Sequence, residues 1–239
     1  MQWDDYDAAL FDLDGVLTPT AEVHMRAWAR MFTDFLTSRG VAEPYTEQDY
    51  FAHVDGKPRY EGVAAMLASR GLELPPGDPT DPPGDATVCG LGNRKNDLFT
   101  EVLRTEGIAA YAGSLALLDH LEQAGVAMAV VSSSKNAPEV LAAAGIAGRF
   151  PVVVDGTVAA ERGLPGKPRP DTYTYAAQQL GVPTSRSVVL EDALSGVQAG
   201  AAGDFGLVVG VDRGAGEGAL IEHGAELVVR DLAELIGDR

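Results

Sequence analysis

The sequence predicts an α/β protein, a parallel sheet flanked by helices, with an all-helical block inserted early. Three observations predict it. From about residue 100 onward, Val-rich apolar runs alternate with helical patterns, as a parallel sheet with crossover helices requires. Between the first strand pattern and that point, helical patterns follow one another without strands. The early apolar run, 8–13, cannot bury two faces alone and must join the later sheet.

In the later part, helix 113–124 leads to strand 126–131, and helix 138–144 leads through Ile146 and Phe150 to strand 152–154. Helix 171–180, strand 188–190, helix 195–202 and strand 207–209 continue the alternation; strand 227–229 and a short helix close it. The early block predicts helices at 21–39, 47–53, 59–70 and 93–104. Between the last two lies a proline-rich stretch, 75–84, which can sustain neither a helix nor an inner strand and is expected to be an exposed loop.

Composition sets the outer bounds. The 239 residues, 46% of them hydrophobic, suffice for one large α/β domain with a smaller insert. A net charge of −17, from 35 acidic and 18 basic residues, is the wrong sign for a nucleic-acid or anionic-membrane surface. Such a chain can still take a phosphate ester where its few cations converge or a divalent metal helps. Cys89 is alone, so an intrachain disulfide is excluded and a reducing compartment is expected. The acidic start, Met1 to Asp7, lacks a secretory pattern, and no apolar run approaches the ~20 residues of a membrane span. A cytoplasmic monomer without membrane or nucleic-acid partners is the expectation.

Ligands of open parallel sheets bind beyond the carboxyl ends of the strands, and three of those ends carry chemistry. Asp12 and Asp14 end the first. At i and i+2 of an extended chain they project to one side, where like charge pushes one carboxyl toward protonation. One ionised and one protonated acid make a nucleophile and a general acid. An ordinary Asp-Gly turn fits the same letters. Ser132, Ser134, Lys135 and Asn136 follow another strand, offering hydroxyls, amides and a cation to an anion, although Ser and Asn also cap helices. Glu191 and Asp192 follow a third; they suit a hard cation such as Mg²⁺, or the first turn of a helix. Lys167 stands where a helix is expected to begin, a position in which a cation opposes the dipole, and fits a lysine bridging a carboxylate and a phosphate. Phosphate monoester cleavage needs up to ~10²¹-fold acceleration. A positioned acid or base supplies only ~10²–10⁴. Nucleophile, metal and lysine are therefore all needed, and the sequence offers each.

Asp12-Leu13-Asp14-Gly15-Val16, the Ser132 strand end, Lys167-Pro168 and Glu191-Asp192, in that order, resemble the four motifs of the haloacid dehalogenase superfamily. The resemblance implies a Rossmann-like core of residues 1–18 and 105–239 and a helical cap, 19–104, inserted after the first strand. It implies Asp12 as the nucleophile that becomes an aspartyl phosphate and Asp14 as general acid and base, with Ser132 and Lys167 as phosphate ligands. Mg²⁺ would be held by Asp12, the Asp14 carbonyl and Asp192, with Glu191 alongside. The segments from Thr20 to Trp28, 56–59, 94–97 and 134–136 are similar to the β-phosphoglucomutase-like branch. That likeness implies a small phosphorylated sugar as substrate and Thr20, His24, Trp28, Arg59 and Lys95 among the substrate-binding residues. Arg59 would grip the non-reacting phosphate with Ser134, Lys135 and Asn136; His24 would steer proton transfer at Asp14. His24 and Trp28 equally fit a helical core stripe with Met31 and Phe35. The chain departs from the pattern at Pro19, at Lys57-Pro58 and in the proline-rich loop.

Three other readings compete with a mutase that turns β-glucose 1-phosphate into glucose 6-phosphate through a bisphosphate. One is a phosphatase with the same nucleophile, in which water reaches the phospho-enzyme. Another is a dinucleotide module built on the glycines 214–218, which leave little chain for a ribose-binding acid. The last is a catalytically silent binding protein.

Overall fold

The computed structural model describes residues 1–54 and 59–237. Gly56, Lys57 and Pro58, part of the motif that ends at Arg59, lie outside them. The described residues form two compact units, Met1–Thr20 with Ile108–Arg239, and Ala21–Gly107.

The first unit is built on a six-stranded sheet among the described residues, ordered β3-β2-β1-β4-β5-β6. Its strands are β1 (Ala8–Phe11), β2 (Ala127–Val131), β3 (Val152–Val154), β4 (Ser187–Glu191), β5 (Leu207–Val211) and β6 (Leu227–Val229). Every pairing is parallel, so β1 and β4 run side by side with Phe11 opposite Leu190. β1 is buried along its whole length, which explains its unbroken run Ala8-Ala9-Leu10-Phe11: both faces are covered, and no polar residue fits. Strand order reverses between β1 and β4, and a crevice beyond the strand ends is expected at such a switch point. The α/β class with a parallel sheet core is thus borne out. Asp12 and Glu191 lie at the two strand ends that border the switch.

Helices α5 (Ala112–Ala124), α6 (Ala137–Ala143), α7 (Gly156–Arg162), α8 (Asp171–Leu180), α9 (Leu194–Ala201) and α10 (Glu217–Glu222) belong to this unit. Tyr173, Ala176 and Ala177 of α8 pack with Leu10, Ala129, Val131 and Val189 of the sheet. Two of these helices escape the apolar pattern. α7 is marked only by its ends, the Asp155 cap, which accepts from Thr157 and Val158 amides at 3.0 and 2.8 Å, and the left-handed Gly163. α10 begins inside the glycine run 214–218, which sequence reasoning offers only as a dinucleotide module. β1 stops at Phe11, two residues before its apolar run does, because the chain there turns into the loop that closes at Thr18.

The second unit carries most of α1 (Thr20–Ser38), then α2 (Glu47–Asp49), which continues into a π-helical turn at Tyr50–Val54, α3 (Arg59–Ser69) and α4 (Val88–Glu106). α4 starts five residues earlier than its apolar periodicity predicts. Thr87 caps it, accepting from the Gly90 amide at 2.9 Å, while Gly90 and Gly92 in its first turns hide it from a propensity reading. Both glycines are there for room: a Cβ on Gly92 would sit 2.7 Å from the Tyr60 ring, and one on Gly90 2.6 Å from the Asp85 carbonyl. The proline-rich stretch is a tied-down loop, since Asn93 Nδ2 donates to the Pro79 and Asp81 carbonyls at 3.0 and 2.9 Å. Among the described residues no helix is long and apolar enough to cross a membrane.

The start of α2 is secured by charge. Asp49 Oδ2 accepts from the Thr46 amide at 2.8 Å, the Thr46 hydroxyl at 2.9 Å and Arg70 at 2.8 Å. Burial pushes this carboxyl up, but the Thr46 and Arg70 bonds outweigh it and hold it below the usual carboxylate range. A depressed folded-state value gives stability that is whole above the unfolded value of about 3.9 and lost as pH falls through the folded one. Asp49→Asn is therefore expected to lower stability by about 1–2 kcal/mol at neutral pH. Melting curves taken down through pH 4 to 2 should show that deficit shrinking as the native carboxylate takes up its proton.

Candidate active site

The sheet converges three carboxylates and one lysine. Asp12 follows β1, its amide bound to the Leu190 carbonyl at 2.9 Å, and Glu191 is the last residue of β4, with Asp192 next. Carboxylate oxygens of Asp12, Glu191 and Asp192 lie within 4.8 Å of one another. The Lys167 ammonium is set between Asp12 and Glu191, bonded to both, and donates a third bond to the Val131 carbonyl at 3.1 Å. Side-chain exposure is 8% for Lys167, 10% for Asp12 and 1% for Glu191, so this is a buried charge cluster rather than a surface pair.

Lys167 does not stand at a helix start. α8 begins at Asp171, and Lys167 occupies the turn before it, joined to Pro168 by a cis peptide bond. Opposition to the α8 dipole is thus not its defining feature; two carboxylates satisfy it. Burial alone would lower the lysine's pKa, but Asp12 and then Glu191 reverse the effect and hold it well above the ordinary value. For Asp12 burial wins: despite Lys167, desolvation together with Glu191, Asp192 and Asp14 raises the carboxyl well above its usual range. Asp192 is pushed up to about 7 by burial and by Glu191. Two crowded, raised acids beside a third describe a site that a cation would relieve.

Glu191 is fully engaged by protein. Its Oε1 takes Lys167 and the Tyr173 hydroxyl at 3.1 Å, and its Oε2 takes the Ala193 amide at 3.0 Å. Sequence reasoning missed Tyr173. A wholly buried tyrosine needs a partner for its hydroxyl, and its place six residues after Lys167 was the available signal.

The loop after β1 is tight. Gly15 N donates to Thr18 O at 2.8 Å, and the Leu17 and Thr18 amides both bond Leu13 O at 3.0 Å. Asp14 pairs with Thr18 as an isolated bridge and is half-buried; its charge raises both Asp12 and Asp192. Gly15 has φ of +83°, and a Cβ there would overlap Asp192 Oδ2. The acidic pocket is thus wrapped by backbone, and the donor set of clustered carboxylates with a close-lying peptide fits a hard divalent cation. Thr20 is wholly buried, its hydroxyl 2.6 Å from that of Thr18.

Beyond β2, Ser132 is buried, and its hydroxyl accepts from the Ser134 amide at 3.1 Å. The Ser134 hydroxyl in turn accepts from the Asn136 amide at 3.1 Å, while Lys135 is exposed. Asn136 stands at the cap of α6 without a side-chain cap bond, so the capping role open to it in sequence is not the one it plays.

Within the helical unit, His24, Trp28 and Lys95 form one cluster. The Lys95 ammonium lies 2.6 Å from His24 Nδ1 and 5.1 and 5.0 Å from the Trp28 and Phe99 ring centres. His24 stacks on Phe99 at 4.2 Å, and Trp28 on Phe32 at 5.4 Å. Burial, then Lys95 and Arg59, holds His24 well below its usual pKa. Trp28 is 6% exposed, as the core-stripe alternative expects. Arg59 opens α3 and donates to Asn96 Oδ1 at 2.8 Å.

A strand-end carboxylate bound to a buried lysine, beside acids fit for a hard cation, is the equipment of a phosphotransferase or phosphatase. Residues 6–204 match the family model of haloacid dehalogenase-like hydrolases, and the chain belongs to that family. It is 47% identical over 240 residues to a β-phosphoglucomutase of Mycobacterium bovis, covering 96% of this chain and 91% of the relative. Hexitol phosphatase A of Escherichia coli is 34% identical over 81% of this chain and 77% of its own. The crystal structure of CbbY from Rhodobacter sphaeroides, in complex with xylulose-(1,5)bisphosphate, superposes with a TM-score of 0.73, 25% identity and 96% of each chain covered. The resemblance read from the four motifs and from the β-phosphoglucomutase-like segments is borne out.

Gly15→Ala adds one methyl at a left-handed turn and against Asp192. We expect turnover to fall by about 100-fold, as for a catalytic group displaced by an ångström. Calorimetric titration with Mg²⁺ should show weakened binding in a chain that still melts cooperatively.

Proposed function

We propose that this chain is a Mg²⁺-dependent β-phosphoglucomutase, interconverting β-glucose 1-phosphate and glucose 6-phosphate. The observation that carries the proposal is the 47% identity, over 96% of the chain, to a protein of that name. The clustered acids and the buried lysine agree with it.

Asp12 is the nucleophile. Its carboxylate attacks phosphorus, the phosphorus–oxygen ester bond breaks, and the leaving sugar oxygen takes a proton from Asp14. In the return step Asp14 removes a proton from the accepting hydroxyl, which attacks the aspartyl phosphate. Lys167 holds Asp12 by one bond and supplies positive charge to the transferring oxygens, and the Ser132 hydroxyl donates a hydrogen bond to them. Glu191 acts through Lys167, keeping the ammonium in place. Asp12, Asp192 and the Asp14 carbonyl would hold Mg²⁺, which supplies Lewis-acid stabilisation of phosphoryl charge when bound. His24, Thr20, Trp28, Lys95 and Arg59, with Ser134, Lys135 and Asn136, are the residues to which we give substrate recognition.

A second reading, a sugar or sugar-alcohol phosphatase, is favoured by the match to hexitol phosphatase A. One incubation separates the two. With β-glucose 1-phosphate, Mg²⁺ and a trace of glucose 1,6-bisphosphate, the mutase forms glucose 6-phosphate without releasing phosphate; inorganic phosphate alone would establish the phosphatase. Asp12→Asn should abolish either activity. Arg59→Ala should depress isomerisation at least about tenfold more than hydrolysis of p-nitrophenyl phosphate, since a bidentate grip on a second phosphate matters only where there is one. Equal losses would count against the mutase.

A further inference from the structure

The loop that carries Asp12 and Asp14 turns three successive carbonyls outward, and each is met from elsewhere in the same unit. The Val16 carbonyl accepts the Ser114 hydroxyl at 2.8 Å, and the Leu17 carbonyl accepts the Tyr111 amide at 3.0 Å. The Gly15 carbonyl accepts Arg213 Nε at 2.7 Å. Of the three, only the last is a charge-assisted bond.

Arg213 is held to this task from several sides. Its Nη1 donates to the Arg230 carbonyl at 3.0 Å, and its guanidinium carbon lies 4.0 Å above the Tyr111 ring centre. The preceding Asp212 accepts the Gly214 and Gly216 amides at 2.9 and 3.0 Å, folding the glycine run back on itself and presenting Arg213 from the end of β5. The glycines that suggested a nucleotide loop thus serve a turn whose product is a fixed arginine.

We propose that Arg213 is a positioning residue of the phosphoryl-transfer site: by gripping the Gly15 carbonyl it sets the peptide plane on which the acidic pocket closes. Gly15 is the point at which the loop backbone approaches Asp192 too closely to admit a Cβ, and it follows Asp14 directly. Rotation of the Gly15–Val16 peptide would move Gly15 relative to both carboxylates. Lysine cannot replace the arginine, because a single ammonium lacks the fork that spans the Gly15 and Arg230 carbonyls while stacking on Tyr111. The proposal rests on the reading of Asp12 as the phosphoryl acceptor.

The test compares the wild type with Arg213→Ala and Arg213→Lys. Mg²⁺ affinity is measured by calorimetry on the metal-free protein, turnover on β-glucose 1-phosphate with saturating Mg²⁺, and stability by melting. Both variants are expected to bind Mg²⁺ about tenfold more weakly and to turn over about tenfold more slowly. Guanidinium chloride at millimolar concentration should restore part of the loss to Arg213→Ala. Wild-type Mg²⁺ affinity and turnover in both variants, with only the melting temperature lowered, would overturn the proposal and leave Arg213 a stabilising residue. Should Arg213→Ala fail to fold, Arg213→Lys, which keeps the charge near Tyr111, decides the matter alone. Asp12→Asn is assayed in parallel: activity surviving there sinks the phosphoryl-acceptor reading, whereas the calorimetric comparison tests the Arg213 grip in either event.

Discussion

The site depends on one buried lysine. Lys167 brings a single positive charge into a region where Asp12 and Glu191 have lost nearly all contact with water, and it neutralises only one of them. Taking such charges out of water costs several kcal/mol per ion, and the cost is offset only when each lone pair and proton finds a partner. Here the partners are supplied by separate elements. Val131 at the end of β2, Tyr173 on α8 and Ala193 ahead of α9 complete the bonding of Lys167 and Glu191. The cluster therefore exists only once β1, β2, β4 and α8 are assembled, and removing Lys167 would strand two buried carboxylates. This also explains why Asp12 is poised as it is. Its carboxyl is raised by burial and restrained by Lys167.

The parts of the fold that were legible in the sequence are those where one physical demand dominates. β1, β2, β4 and β5 announce themselves because the central stretches of strands covered on both faces are apolar, with polar Ser187 and Glu191 only at the ends of β4. Strand-end acids stand out against that background, which is why Asp12, Glu191 and Asp192 could be named and were found clustered. What was hidden obeys local rules without periodicity. α7 is defined by its caps, and the start of α4 is masked by glycines kept small for Tyr60 and Asp85. Lys167, singled out in the sequence, is found bonded to Asp12 and Glu191, but it stands in a turn and not at the helix start, because residue spacing does not tell a turn from a first helical turn. Tyr173 and Arg213 went unnoticed for a different reason: each makes its bond to a residue more than 15 positions away, and the spacing from Lys167 is the one nearby signal, for Tyr173 alone.

In the helical unit an ammonium is buried among aromatic rings. Lys95 rests between the Trp28 and Phe99 rings and points at His24 Nδ1. An ammonium can only donate, so His24 accepts through Nδ1 and, being held neutral, carries its proton on Nε2. The core-stripe and functional readings of His24 and Trp28 are therefore compatible: the aromatic packing that buries them is what fixes the lysine and the imidazole tautomer.

A net charge of −17 opposes an anionic substrate at long range, yet net charge and local field are separate quantities. Exposed acids are screened by solvent and salt within about 10 Å. A cation fixed in a poorly hydrated pocket is screened far less. Lys167 is such a cation, with two carboxylates already drawing on it. Beyond β2 the buried Ser132 hydroxyl brings a neutral polar group to the strand ends without adding acidity. The acids at this site cannot themselves attract a phosphate. Two of them hold Lys167, and the cluster as a whole is a donor set that fits a hard divalent cation, so the acidity of the pocket goes with the positive charge it organises.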